Sequence, residues 1–189
     1  MQLILASSSR FRRALLERLK LPFSVESPGL DESRLDGETP QAMVRRLSQA
    51  KAACIAERHP DALVIGSDQA AVLDGMTLGK PGHHAQAVAQ LSACSGREVT
   101  FYTGLCLLRG NLSPVYLDTT RVIFRTLAGD EIDRYLGTEQ PYQSAGSFKA
   151  EGLGISLFES IHSDDPTALV GLPLIALCRL LRQAGFTLP

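Results

Sequence analysis

Two long apolar runs, REVTFYTGLCLLRG and SPVYLDTTRVIFRT, meet at Gly110-Asn111, and this pairing limits the fold more than any other feature. Each run is long enough for a core strand, and the Gly-Asn junction is turn chemistry, so the two read as neighbouring antiparallel strands. Elsewhere, short apolar runs alternate with helical periodicities, the pattern of a parallel α/β sheet. A chain that carries both cannot build a purely parallel doubly wound sheet. The expected class is α/β with a mixed sheet and flanking helices. The 189 residues suggest one domain over 1–189, or two lobes of that domain around a cleft.

QLILA reads as a buried strand and Arg10 to Lys20 as a helix with Phe11, Leu15, Leu16 and Leu19 on its apolar side. FSVES is a second short strand, followed by the polar loop PGLDESRLDGETP. Thr39 is placed to cap a long helix opening at Pro40, with Met43, Leu47, Ala50 and Cys54 along one face. DALVIGSDQAAVLDGMTLGKP reads as a strand, a short polar break, a second strand, an Asp74-Gly75 turn and a strand remnant. Helices are expected from His83 to Cys94, from Asp130 to Gly137 and at the C-terminus to about Gln183, with a glycine-rich segment at 144–161.

Charge and cysteine usage exclude some functions. A net charge of −1 argues against a broad nucleic-acid surface, so any phosphate recognition must be local. The most apolar stretch, ALVGLPLIALCRLL, is interrupted by Gly171, Pro173 and Arg179 and is too short to span a bilayer. MQLILASSS lacks the form of a signal peptide. The four cysteines are scattered in apolar surroundings without metal-type spacing, which fits reduced core thiols in a cytoplasmic protein.

Four stretches carry candidate chemistry. SSSRFRR follows the first strand and opens the first helix, where free backbone N–H groups and the helix dipole favour an anion. A capped surface helix with solvated arginines is the alternative. IGSDQ places Asp68 where an apolar strand ends, a position suited either to catalysis or to an ordinary turn cap. LGKP holds Lys80 on a stiff loop without Walker spacing. LDES offers Asp31 and Glu32, and a magnesium ion needs only one or two carboxylates beside substrate phosphates. Lys51 lies within the long helix, where it either snorkels to water or overlooks the same site.

In order along the chain, ILASSSRFRRALLERL, DES, QAKA, VIGSDQ, LDG, LGKP, ACSGREVTFYTG, AGSFKAEGLG and VGLPL resemble the Maf family of nucleoside-triphosphate pyrophosphatases. The resemblance covers essentially the whole chain. It implies an inosine-triphosphatase-like fold, with a mixed elongated sheet and two lobes around a nucleotide cleft. It also implies a cytoplasmic, metal-dependent enzyme, often a homodimer, that acts on a small nucleotide rather than on nucleic acid or membranes. By residue, it implies Asp68 as proton acceptor, Glu32 as ligand for Mg²⁺ or Mn²⁺, with Asp31 second, and Ser7, Ser9, Arg12, Arg13, Lys51 and Lys80 around the phosphates. Many members read Ser-Pro-Arg-Arg where this chain has Ser9, Arg10, Phe11 and Arg12. Phe11, Gln69 and Glu151 resemble the branch that hydrolyses 7-methyl-GTP, whereas the dTTP/UTP branch reads arginine, threonine and glutamine there. A Maf-type enzyme for another nucleotide, and a non-catalytic nucleotide-binding regulator of cell division, are the alternatives.

Overall fold

The computed structural model describes residues 1–189. Its elements follow the order β1 (Leu3–Ala6), α1 (Arg10–Glu17), β2 (Ser24–Glu26), α2 (Pro40–Ala56), β3 (Leu63–Leu73), β4 (Met76–Leu78), α3 (His84–Cys94), β5 (Glu98–Leu108), β6 (Val115–Phe124), α4 (Gly129–Glu139), β7 (Phe158–His162) and α5 (Leu174–Gln183). One mixed sheet runs β2-β1-β3-β5-β6-β7, with β4 paired to β3. β1 lies parallel to β2 and β3, whereas β3/β4 and β6/β7 are antiparallel. An antiparallel bridge between Arg109 and Leu112 closes the turn at Gly110-Asn111. The expected mixed α/β sheet with flanking helices is the observed one.

The chain divides into two compact units. The first comprises 1–69, 103–118 and 165–189, and the second 70–102 and 119–164. In the first unit, strand alternation sends β1 side chains to opposite faces. Leu3 and Leu5 pack in one cluster with Leu15 and Leu16 of α1 and Leu177 and Leu181 of α5. Ile4 and Ala6 pack on the other face with Ala52 and Ile55 of α2. In the second unit, Phe101, Phe124, Phe148 and Phe158 meet edge to face at 4.9–5.6 Å between ring centroids. No helix is long and apolar enough to cross a membrane. All four cysteines are free thiols, and burial pushes that of Cys94 up to about 12.

Two local expectations need correction, and the structure adds one strand. No polar break interrupts residues 63–73, because β3 runs continuously and Asp68 sits in mid-strand rather than at a strand end. The strand tolerates Gly-Ser-Asp-Gln because its polar groups find partners inside the unit. Ser67 Oγ lies 2.8 Å from the Gly104 carbonyl oxygen, and the Gln69 amide donates to Thr103 Oγ1 at 3.0 Å and to the Ala168 carbonyl at 2.9 Å. The buried side of α2 is Met43, Val44, Leu47, Ser48, Lys51, Ala52 and Ile55, leaving Ala50 and Cys54 at its margin. The glycine-rich segment contains β7, whose FESIH sequence pairs with Arg121–Phe124.

Candidate active site

Two glycines determine how α2 meets the sheet. A methyl group at Gly66 would collide with the Ser48 carbonyl and lie 2.8 Å from the Ala52 nitrogen. At Gly104 it would lie 2.6 Å from the Val44 carbonyl oxygen. Only hydrogen at both positions lets the helix backbone come this close, and Ser48 ties its own hydroxyl to the Val44 carbonyl at 2.6 Å. That close approach carries Lys51 to Asp68.

Lys51 does not snorkel. It is 4% exposed, and its ammonium lies 2.7 Å from Asp68 Oδ1 and 2.9 Å from Glu32 Oε2. Asp68 is 6% exposed, whereas the Glu32 side chain is 54% exposed. Only Oδ1 of Asp68 is engaged by a protein group, so Oδ2 is free to address a water molecule. Of the three ammonium protons, two are taken by carboxylates and one remains for a phosphate oxygen.

The loop that delivers Glu32 is held by a clasp the sequence did not reveal. Glu38 accepts two bonds from Arg46 of α2, at 2.7 and 2.8 Å, and Arg46 also donates to the Ser33 carbonyl at 3.0 Å. The Arg46 hydrogen bond is the main reason the Glu38 carboxyl falls from its ordinary 4.5 to about 2. Asp31 Oδ1 accepts from both the backbone nitrogen and the hydroxyl of Ser33, at 2.9 and 2.6 Å. Asp31 is thereby committed to its own turn, and Glu32 is the acid that faces Lys51.

At the end of β1, Ser7 and Ser9 act first as caps. Ser7 Oγ accepts from the Ser9 nitrogen at 3.0 Å, and Ser9 Oγ from the Arg12 nitrogen at 3.4 Å. The Arg10 and Phe11 amides, in the first turn of α1, have no acceptor within the helix. Arg12 donates from Nε to the Gly171 carbonyl at 2.8 Å. Desolvation lowers its pKa, while the nearby negative charges of Asp68 and Glu32 oppose that shift. Arg13 instead turns outward to Glu17 at 2.9 Å, with both side chains more than half exposed.

Gly171 belongs to a second feature that no local sequence pattern announces. The Asp165 carboxylate accepts from the Thr167 hydroxyl at 2.6 Å and from the Ile175 nitrogen at 2.6 Å, and Thr167 Oγ1 accepts from the Leu174 nitrogen at 2.8 Å. This knot fixes the turn before α5, where Gly171 has φ +119°. Its carbonyl oxygen then meets both Arg12 Nε and Ser67 Oγ, the latter at 3.0 Å. The only signal in the sequence was an Asp-Pro-Thr run before a glycine and a helix.

The structure therefore brings together Asp68, Lys51, Glu32 and Arg12. Gln69 is adjacent, but its NH₂ group is spent on Thr103 and the Ala168 and Leu169 carbonyls, leaving Oε1 as its open atom. Phe11 is half-buried, and the apolar cluster that includes Leu15, Leu16 and Leu19 omits it. Lys80 and Glu151 are exposed residues of the second unit. No group of three or more His, Cys, Asp or Glu side chains is poised to hold a metal ion.

The mixed sheet with flanking helices is a fold also seen in a solved structure. The HAM1 protein from Coxiella burnetii aligns with a TM-score of 0.54 at 12% identity, over 97% of this chain and 99% of that one. The chain itself belongs to the Maf family, whose profile, described as Maf-like protein, matches residues 2–184. A 7-methyl-GTP pyrophosphatase of Burkholderia thailandensis is 57% identical over 99% of this chain and 89% of its own. A protein of the same name from Xanthomonas oryzae pv. oryzae is 57% identical over 100% and 99%, respectively.

Proposed function

We propose that this chain hydrolyses 7-methyl-GTP to 7-methyl-GMP and diphosphate. The observation that carries the proposal is the buried Asp68–Lys51 pair with Glu32 on the same ammonium. This set supplies a proton acceptor and a phosphate-holding cation in one place. Full-length relatives at 57% identity that bear this activity in their names support the choice of nucleotide.

In this reading, Asp68 Oδ2 takes a proton from the water that attacks the α-phosphorus. Lys51 holds Asp68 in place through Oδ1 and gives its remaining N–H to a phosphate oxygen. Arg12, anchored at Nε, presents its terminal nitrogens to the charge that accumulates as the α–β bridge breaks. Ser7, Ser9 and the Arg10 and Phe11 amides form the cradle, and Arg13 joins it by releasing Glu17. No covalent intermediate is needed, and diphosphate is the leaving group.

A divalent cation fits the donor set. Glu32 and Asp68 both reach one ammonium and so lie within range of one ion, and hard cations take such carboxylates together with substrate phosphates. With no third acidic ligand, waters and phosphate oxygens would supply the remaining ligands. When bound, the ion would neutralise phosphate charge and acidify water. Glu32 is the residue we assign to hold it.

Chromatography of a reaction with Mg²⁺ or Mn²⁺ tests the proposal. It predicts 7-methyl-GMP and diphosphate as products, and an Asp68→Asn variant slowed by about 10²–10⁴-fold. Release of 7-methyl-GDP and orthophosphate would refute the bond assignment. Binding without turnover would favour a nucleotide sensor.

A further inference from the structure

Arg10 is the one basic residue of the opening turn whose charge is not matched by an acid or a carbonyl. Arg12 is anchored on the Gly171 carbonyl and Arg13 on Glu17. The guanidinium carbon of Arg10 instead lies 4.8 Å from the centroid of the Phe11 ring, within cation–π range. The long Arg10 side chain reaches the ring of its sequence neighbour, and no acid or carbonyl draws the guanidinium elsewhere. The ring has space to accept a cation because it stands outside the cluster that buries Leu15 and Leu16.

We infer that Arg10 is an internal competitor for the Phe11 ring, and that it sets how strongly the protein prefers a cationic base over a neutral one. The inference rests on Phe11 being the platform for the base, as the proposed function requires. N7-methylated guanine carries a positive charge and would stack on the ring for the same reason that Arg10 does. If the base takes the face that Arg10 occupies, the guanidinium must leave first. If it takes the opposite face, it meets a like charge across the ring. The first cost falls on any base alike and cancels in a comparison of substrates; the second falls on the cationic base alone, so the inference takes the base to lie on the face opposite Arg10. A plain phosphate-binding role for Arg10 has a different signature, because it would serve every triphosphate alike.

The test is kcat/KM for 7-methyl-GTP and GTP on wild type, Arg10→Ala, Phe11→Ala and the double variant. Loss of an exposed cation–π competitor should raise the ratio of 7-methyl-GTP to GTP by about two- to five-fold in Arg10→Ala, through KM for the methylated substrate. In the Phe11→Ala background, the same Arg10 substitution should leave the ratio unmoved. An unchanged ratio in Arg10→Ala, or an equal fall for both nucleotides, would overturn the inference while the base assignment stood. A rise that persists without the Phe11 ring would also overturn it. Wild type without any preference for 7-methyl-GTP would instead remove the base assignment, and the inference with it.

Discussion

Replacing Lys51 with methionine tests whether the buried ion pair is organised as described. The ammonium serves two carboxylates, and the two are unequal. Asp68 has a side chain only 8% exposed and lies 2.7 Å from Nζ, whereas Glu32 is 54% exposed and can return to water. Lys51→Met keeps the length of the side chain but strands the Asp68 charge in the interior. Removing one partner of a buried pair costs about 3–5 kcal/mol. The positive charge of Arg12 nearby offsets part of this, which places the expected loss near the lower end, about 3 kcal/mol.

Asp68→Asn should cost less, on the order of 1 kcal/mol, because Lys51 retains Glu32 and the asparagine carbonyl still accepts from it. The double variant buries no charge at this position, so it should be more stable than the sum of single losses implies, with a coupling of about 1–3 kcal/mol. Urea unfolding at pH 7, followed by circular dichroism and extrapolated linearly, measures all three. If Asp68→Asn cost as much as Lys51→Met, or if the two effects added, the pair would not be the coupled unit described here.

Further outcomes follow from other contacts. Gly66→Ala should destabilise by about 1–3 kcal/mol or more and also lower kcat, because the methyl group pushes α2, and Lys51 with it, off the sheet; a stable, fully active variant would contradict the close approach. Arg46→Met should release the Glu32 loop, raise KM, and return the Glu38 carboxyl from about 2 toward 4.5, read by carbon NMR titration. Because the folded-state pKa of Glu38 is depressed, the clasp contributes fully above about 4.5 and is lost as pH falls through about 2; an unchanged Glu38 midpoint in Arg46→Met would assign that shift elsewhere. Phe11→Ala and Glu151→Gln should each lower the ratio of kcat/KM for 7-methyl-GTP to that for GTP, by about 2–30-fold for the ring; unchanged ratios would remove these residues from base recognition.

Local pattern made most elements legible. β1, α1, α2 and α5 each announce themselves through apolar period, and Thr39 is the cap its position suggested, accepting from the Ala42 nitrogen at 3.2 Å. IGSDQ has the look of a strand end because a polar run normally ends a strand, and only partners distant in sequence make it a strand interior. Gly104, Gly171 and Ala168 lie 37 to 104 residues from Ser67 and Gln69, beyond any local window. The same holds for Lys51. Helical periodicity placed it beside the apolar face, yet nothing in QAKA tells whether an ammonium turns outward or into the protein. The residue that decides this is Gly66, whose missing side chain admits the helix.

The charges gathered in the first unit explain why a triphosphate should bring its own cations. Lys51 and Arg12 carry two formal positive charges, and Asp68 and Glu32 carry two negative ones, so the cluster is near neutral. A triphosphate is strongly anionic, and the proposed base, Asp68, would repel it unless something else shields the phosphates. The arginines cannot supply all of that: Arg12 is fixed at Nε, Arg13 is engaged by Glu17, and Arg10 rests on an aromatic ring. A divalent ion arriving with the nucleotide would supply the missing charge, meet Glu32 at its exposed end and let Lys51 turn its free N–H to phosphate. A metal requirement would then be the counterpart of the neutral resting cluster. Metal dependence should therefore steepen when Lys51 is replaced by methionine, and the concentration of Mg²⁺ or Mn²⁺ giving half-maximal rate in that variant, compared with wild type, is the measurement that checks it. No shift would mean that Lys51 carries none of the phosphate charge.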